Sequence, residues 1–390
     1  MIKIGVRKNL VYPFMIIISS FLRKINSIII SKFEIKVSLL LTIIMFVAEF
    51  IGGLIVFKYN LKYISRKKNN NEVKSRGIQL IQNSLSSDLN HIDNCFTIYF
   101  LIFAIALFDF IEFMIVTLYL GGKIIYKNET HKTLDLRLTS LMSISSALYS
   151  YFLLQNPLYK HHIFSLVIIF ISLIIIIISD FVYNYIPNNS NIYDFIYVLI
   201  LIFVSHFFNS TKDIIEKYLL QYDFINPFQM LMIEGIFGLI ISGLYCPIKN
   251  PFNMKNFENI DNVYCLILFI ICLVFYFLFC AIRNIYRVET NRLFSPMVRT
   301  LTDTFYIPVF IIYDYCNNDI NIYHFILNLI ISIIIVFGGC IYNELFVIFC
   351  CNLEYNTYIE ISRRSKKYEN LFEYKLDENN DHLDNDDDSH

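Results

Sequence analysis

Apolar residues arrive in long, nearly unbroken blocks separated by short polar stretches. Val37 to Phe57, Ile163 to Ile178 and Leu266 to Ala281 are examples. A block near twenty residues matches the roughly 30 Å hydrocarbon core of a bilayer when coiled as a helix. These blocks lack the period-two alternation of a barrel strand. Backbone N–H and C=O groups cannot stay unpaired in lipid, so the blocks are expected to be helices. The pattern predicts an all-α, polytopic membrane protein with about 10 transmembrane helices, roughly over 10–30, 37–57, 96–120, 134–155, 161–180, 193–212, 226–246, 262–283, 295–314 and 321–345.

Composition agrees. Hydrophobic residues make up 56% of the 390 residues and charged ones 17%, against roughly 25% charge in soluble domains. The mean hydropathy is +0.54. The formal net charge is −1, so no nucleic-acid partner is expected; the partners implied are the lipid bilayer and a small-molecule substrate, and a homodimer is compatible. The nine cysteines fall mostly in apolar blocks with no CxxC, which predicts buried free thiols; Cys350 and Cys351, near a membrane exit, are palmitoylation candidates. Arg7 and Lys8 precede the first block as in a signal peptide, but no small-residue cleavage pattern follows, so it reads as a retained span. That span carries Arg23 and Lys24, which must face the bundle or snorkel.

Positive charge in the connections sets orientation, because cytoplasmic loops are the richer in Lys and Arg. With the N-terminus inside, the cytoplasmic set, which includes Lys58–Arg76, Lys212–Lys217 and Arg283–Arg292, holds about 21 and the opposite set about 7. Both termini are expected to be cytoplasmic, which demands an even span count. The organelle is not legible. The polar connection 58–94 and the charged tail 351–390 read as disordered. Residues 1–160 form the early spans, 161–192 the fifth span and a central lumenal loop, and 193–350 the later five. Asn128-Glu-Thr and Asn188-Asn-Ser in the lumenal loops are glycosylation sequons.

The later half echoes the earlier one. Glu49-Phe-Ile-Gly-Gly-Leu-Ile resembles Glu234-Gly-Ile-Phe-Gly-Leu-Ile, an offset of 185 (234 minus 49). Arg137, Tyr151 and His162 are matched by Arg299, Tyr313 and His324 at an offset of 162 (299 minus 137). Five spans per half is odd, so the halves lie in opposite orientations, a 5+5 inverted repeat of the kind used by many secondary transporters.

An ionisable side chain at the centre of a span costs at least about 2.5 kcal/mol, so each one is a functional candidate. The substrate-binding candidates are Glu49, Arg137, Glu234 and Arg299; symmetric guanidiniums suit phosphate or carboxylate groups. Asp109, Glu112 and Asp303 are candidates for coupling or lining a cavity, and Asp109 and Glu112 share a helix face at i, i+3. Three structural alternatives stand beside these. The glycines after Glu49 and Glu234 can simply let helices approach, Arg299 can pair with Asp303 at i, i+4, and Lys212, Asp213, Glu216 and Lys217 read as interfacial ion pairs, with gate formation as the second account. His161 and His162 have no carboxylate or cysteine at ligand spacing, so no metal is expected. No phosphate-cradling GxxxxGK[ST] loop, HExxH or nucleophile elbow occurs, so neither ATP, a cofactor nor an enzyme activity is expected.

Glu216-Lys-Tyr-Leu-Leu, Asn226-Pro-Phe with Glu234-Gly-Ile-Phe-Gly-Leu-Ile, and Ser295-Pro-Met-Val-Arg-Thr-Leu-Thr-Asp303 resemble the span six to seven region and the span nine entry of nucleotide-sugar-transporter-like carriers. These belong to the drug/metabolite transporter superfamily, the solute carrier 35-like branch. The resemblance is specific across roughly 45–57, 212–240 and 283–305. It implies ten helices in two inverted halves around a central cavity. One departure is Leu134-Asp135-Leu136 before Arg137, where the family carries glutamine-methionine. The expectation is alternating-access transport of a small, anionic or nucleotide-linked solute. The alternative is a non-transporting scaffold or receptor that recruits partners through the cytoplasmic loop and tail.

Overall fold

The computed structural model describes residues 2–4, 11–31, 33, 38–70, 92–116, 134–135, 137–185, 192–221, 225–249, 263–294, 296–317, 321–349, 353–357, 360–361 and 363–364. The regular structure among the described residues is helical apart from two short strands. In order, the helices are α1 (Val11–Ser31), α2 (Ser38–Asn70), α3 (Ile92–Met114), α4 (Leu141–Phe152), α5 (Lys160–Asp180), α6 (Ile192–Gln221), α7 (Pro227–Lys249), α8 (Val263–Leu293), α9 (Pro296–Thr304), α10 (Ile307–Asn317) and α11 (Ile322–Tyr342). A 3₁₀ turn at Leu138–Ser140 leads into α4. Eight of these, α1 to α3, α5 to α8 and α11, are long and apolar enough to cross a membrane. The chain is therefore an all-α, multi-pass membrane protein.

Local chemistry sets the helix ends. Pro227 opens α7, and the Asn226 side chain accepts the backbone N–H groups of Phe228 (3.0 Å) and Gln229 (3.4 Å), satisfying donors that have no partner within the helix. Asn321 does the same for Tyr323 at the start of α11 (2.9 Å). Pro308 explains the break between α9 and α10, since its ring lacks an N–H and clashes with the preceding turn.

The side chains are sorted inside out relative to a soluble protein. On α8, Ile267, Ile271, Val274 and Leu278 recur every three or four residues and are exposed, whereas Cys272, Tyr276, Cys280, Arg283 and Arg287 on the other face are buried. The apolar stripe suits lipid, and the charged stripe faces the bundle.

Packing runs across the chain rather than along it. α2 packs against α7, α1 against α8, α5 against α11, and α3 against α6; further contacts join α2 to α8, α3 to α7, α4 to α6 and α1 to α9. The backbone of β1 (Ile2–Ile4) pairs antiparallel with β2 (Phe346–Ile348), so the start of the chain meets the segment that follows α11.

Several boundaries differ from the sequence reading. α6 and α8 continue to Gln221 and Leu293, well beyond the expected ends at 212 and 283. α2 continues to Asn70, into the stretch read as a disordered loop. Charge density alone suggested loop, but the charges on α6 and α8 are paired inside the bundle, so the helix need not end there. The sequons, Cys350 and Cys351, and the tail beyond 364 lie outside the described residues. Among the described cysteines, Cys272, Cys280 and Cys340 are buried and free as expected, whereas Cys265 and Cys316 are exposed.

Candidate functional site

The site begins where α2 and α7 cross. A Cβ on Gly53 would lie 2.8 Å from the Met232 backbone nitrogen, and one on Gly235 would lie 2.6 Å from that of Phe50. Both distances are below any real Cβ contact, so the two backbones touch through glycine alone. The close approach drives Glu49 and Glu234 toward each other, both fully buried. Asp109 on α3 joins them, and one carboxylate oxygen from each of the three lies within 4.8 Å of the others. Glu49 is ten residues from either end of its Leu39–Tyr59 span, or about 15 Å at the helical rise, so it lies midway along that span.

Two cations face this cluster. The Lys212 ammonium on α6 donates to Asp109 Oδ1. Arg287 on α8 places Nη2 at 2.9 Å from Glu216 Oε1 and 3.1 Å from Glu234 Oε1, and Nη1 at 3.8 Å from Asp109 Oδ2. Glu49 is held by a neutral donor, Asn284 Nδ2, at 2.8 Å from Oε1. Four carboxylates, Glu49, Asp109, Glu216 and Glu234, therefore share two basic side chains.

A second branch continues toward α9. Arg299 Nη1 pairs with Asp213 Oδ2 at 2.6 Å, and its Nη2 lies 3.7 Å from Asp303. Asp303 is closer to Arg283 on α8 (3.2 Å) and also accepts from Ser20 on α1 (3.3 Å). Asn209 spans the gap between branches, accepting from Arg299 and donating to Glu112, each at 3.5 Å. Asn291 ties Glu216 to the backbone of Asp213. Lys217 caps the end of α8 through the carbonyls of Asn291, Arg292 and Phe294 at 2.8, 3.1 and 2.7 Å. Arg23, on α1, faces inward, close enough to Asp303 to interact electrostatically.

Arg137 stands in another group: it donates to Asp180 at 2.8 Å, at the end of α5, with His324 Nε2 3.4 Å away at the start of α11. His162 and His324 occupy the same third position of α5 and α11, and the two helices pack together.

The structure thus brings Glu49, Glu234 and Asp109 together. Asp303 and Arg299 stand in the adjoining branch, with Glu112 linked to it through Asn209, and Arg137 stands with Asp180 and His324. The glycines do act as the close-approach device the sequence allowed for, and the i, i+4 contact between Arg299 and Asp303 is present but is the longer of the contacts each makes. Two expectations are refined. Lys212, Asp213, Glu216 and Lys217 make the paired contacts the sequence allowed for, but inside the bundle: each is at most 5% exposed. Arg283 and Arg287 are not loop charges but core ion-pair partners. Arg137, Arg287 and Arg299 each have a carboxylate partner. Removing Lys212, Lys217, Arg283 and Arg287 from the loop count reduces about 21 to about 17, which leaves the charge bias in place. The missed signal was periodicity: Arg283, Asn284, Arg287 and Asn291 fall on one helical face.

A cavity of about 410 Å³ opens between α1 and α9, lined by apolar side chains such as Phe14, Ile17, Phe294, Leu301 and Phe305, apart from the ion network. Metal-ligand donors also gather at His161, His162 and Glu344, within 4.8 Å of one another. The carboxylate is one that local spacing does not reveal: Glu344 comes from beyond α11 on a left-handed backbone (φ 58°). His162 Nδ1 already accepts the Tyr159 N–H at 3.3 Å, which leaves fewer than the three protein ligands of a typical zinc site. No protein-family model matches the chain, and no curated protein matches it.

Proposed function

We propose that this chain is a secondary-active carrier working by alternating access, with ten spans in two inverted halves and both ends in the cytoplasm. On this reading 137–152 is span four, α9 with α10 is a broken span nine, and α11 is span ten. Exchanging each span for the one five later carries the α1–α8 contact into α6–α3, α2–α8 into α7–α3, and α4–α6 into the α9–α1 contact; all of these occur. The β1–β2 pairing supports an even span count, because both ends then meet on one side.

The observation that carries the proposal is the ion network that joins α1, α2 and α3 to α6, α7, α8 and α9 through side chains alone. Each buried ion costs several kcal/mol to desolvate, and well-packed apolar residues at such positions are often as stable or more so. A static scaffold gains little from such a network. A carrier uses it, because ion pairs that join two halves can break and re-form as the halves rock.

The substrate is a small anion, such as a nucleotide sugar or organic phosphate, in keeping with the resemblance of 212–240 and 283–305 to nucleotide-sugar-transporter-like carriers. Its phosphate or carboxylate would replace Asp213 on the guanidinium of Arg299, a bidentate exchange for which arginine is suited. Binding and loosening of the α6–α9 contact would then be one event. The test is counterflow in proteoliposomes preloaded with nucleotide sugars, nucleoside monophosphates or sugar phosphates. Accumulation of label that Arg299→Lys strongly reduces is expected; no exchange of any organic anion by well-folded protein would overturn the reading.

A further inference from the structure

The centre of the network has more negative than positive groups, and Glu49 is the carboxylate of the cluster that no cation pairs with. Glu49 Oε1 accepts from Asn284 at 2.8 Å. Its Oε2 has no hydrogen-bond partner although the residue is fully buried, and Asp109 Oδ2 likewise accepts no hydrogen bond. An ionised carboxylate oxygen left without a donor in a low-dielectric interior is among the costliest arrangements a protein can hold. Every other carboxylate of the cluster has a cation on at least one oxygen: Asp109 has Lys212, and Glu216 and Glu234 have Arg287.

We propose that Glu49, Asp109 and Glu234 form a site for one exchangeable proton, carried on Glu49 and shared with the facing carboxylates, and that this proton is the coupling ion of the carrier. The proposal rests on the transport reading for its coupling role, but not for the site itself. The groups facing Glu49 are Glu234 from α7, Asp109 from α3, Asn284 and Arg287 from α8, and, behind Asp109, Lys212 from α6. A proton on Oε2 turns an orphan acceptor into a donor, with acceptor oxygens of Asp109 and Glu234 in the same cluster. No bond is broken, and one negative charge is cancelled. A metal ion suits the site less. Three oxygens within 4.8 Å of one another could surround one, but the Lys212 ammonium and the Arg287 guanidinium already lie on the same carboxylates and would repel it.

The site has a mechanical consequence. Glu49 is the carboxylate of α2, and its negative charge faces the cation on α8 next to the point where α2 and α7 touch. Loading and unloading the proton changes the attraction between α2 and α8 beside the closest α2–α7 contact, which is where rocking of the two halves would pivot.

The test is infrared spectroscopy of the full chain in lipid nanodiscs, titrated from alkaline to acidic pH without substrate. Wild type is expected to show a carboxylic-acid carbonyl band that shifts in deuterated water and is lost in Glu49→Gln. A control outside the cluster, Glu360→Gln, keeps it. Glu234→Gln, which removes one facing charge, changes the pH at which the band appears without abolishing it, and serves if Glu49→Gln does not fold. A wild-type spectrum with no such band, or a band unaltered in both variants, overturns the proposal. So does a rise in melting temperature with sodium, potassium or calcium ions that Glu49→Gln abolishes. Because the band needs no transport, its presence in a protein that exchanges no anion would overturn the carrier reading and leave the proton site standing.

Discussion

Replacing Arg287 with methionine tests the network where it bears the most charge. The side chain is 1% exposed and meets Glu216 at 2.9 Å, Glu234 at 3.1 Å and Asp109 at 3.8 Å. Methionine fills much of the volume but leaves four carboxylates facing Lys212 alone. Removing one partner of a buried pair costs about 3–5 kcal/mol. At roughly 2–4 °C per kcal/mol for a domain of a few hundred residues, the melting temperature should fall by on the order of 10 °C. The assay is thermal unfolding in detergent followed by a thiol-reactive dye, since buried Cys272, Cys280 and Cys340 report opening while exposed Cys265 and Cys316 set the baseline. Arg292→Ala is the comparison: its pair with Glu289 is i, i+3 and its side chain is 46% exposed, so its loss should cost less than about 0.5 kcal/mol. Adding Glu234→Gln to Arg287→Met should recover part of the loss, because one uncompensated charge is removed. If Arg287→Met melts within about 2 °C of wild type, or no more than Arg292→Ala, the buried pairs do not contribute as argued.

Three further outcomes follow from the packing. Gly235→Ala should separate α2 from α7 and lower the yield of folded protein, whereas Gly243→Ala, with nothing within 4 Å of the added Cβ, should be neutral or stabilise by up to about 1 kcal/mol through helix propensity; fluorescence size-exclusion profiles compare them. Lys217→Met removes the donor from three carbonyls at the end of α8 and should cost about 2 kcal/mol in the same unfolding assay. Epitope tags at the two chain ends should become accessible together when the plasma membrane is selectively permeabilised, and tags reached from opposite sides would contradict the even span count.

Much of the fold was legible because lipid imposes a coarse rule: a helix must be apolar over about 30 Å. The rule found the apolar stripe of every long helix and placed Glu49 and Glu234 as intramembrane residues. It failed at the inner ends of α6 and α8, where Lys212 to Lys217 and Arg283 to Arg287 look like interface in a linear reading. Whether such charges face water or one another depends on partners 20 to 103 residues away, as in Arg283 with Asp303 and Lys212 with Asp109, and no local pattern encodes that. The same limit hid Glu344 from His161. The glycine-marked crossing was visible in the sequence, because α2 and α7 each carry a glutamate followed by a closely spaced glycine.

On the carrier reading, the charged interior is reached from each side of the membrane in turn. Ser143, buried and bonded to Thr300 at 3.2 Å, is a suitable reporter on the seam between α4 and α9. In a background without the exposed cysteines, Ser143→Cys should react with a membrane-impermeant thiol reagent from either face of sealed vesicles, in proportions that an organic anion added to one side shifts. Reaction from one face only under every condition, or from neither in a folded protein, would contradict alternating access.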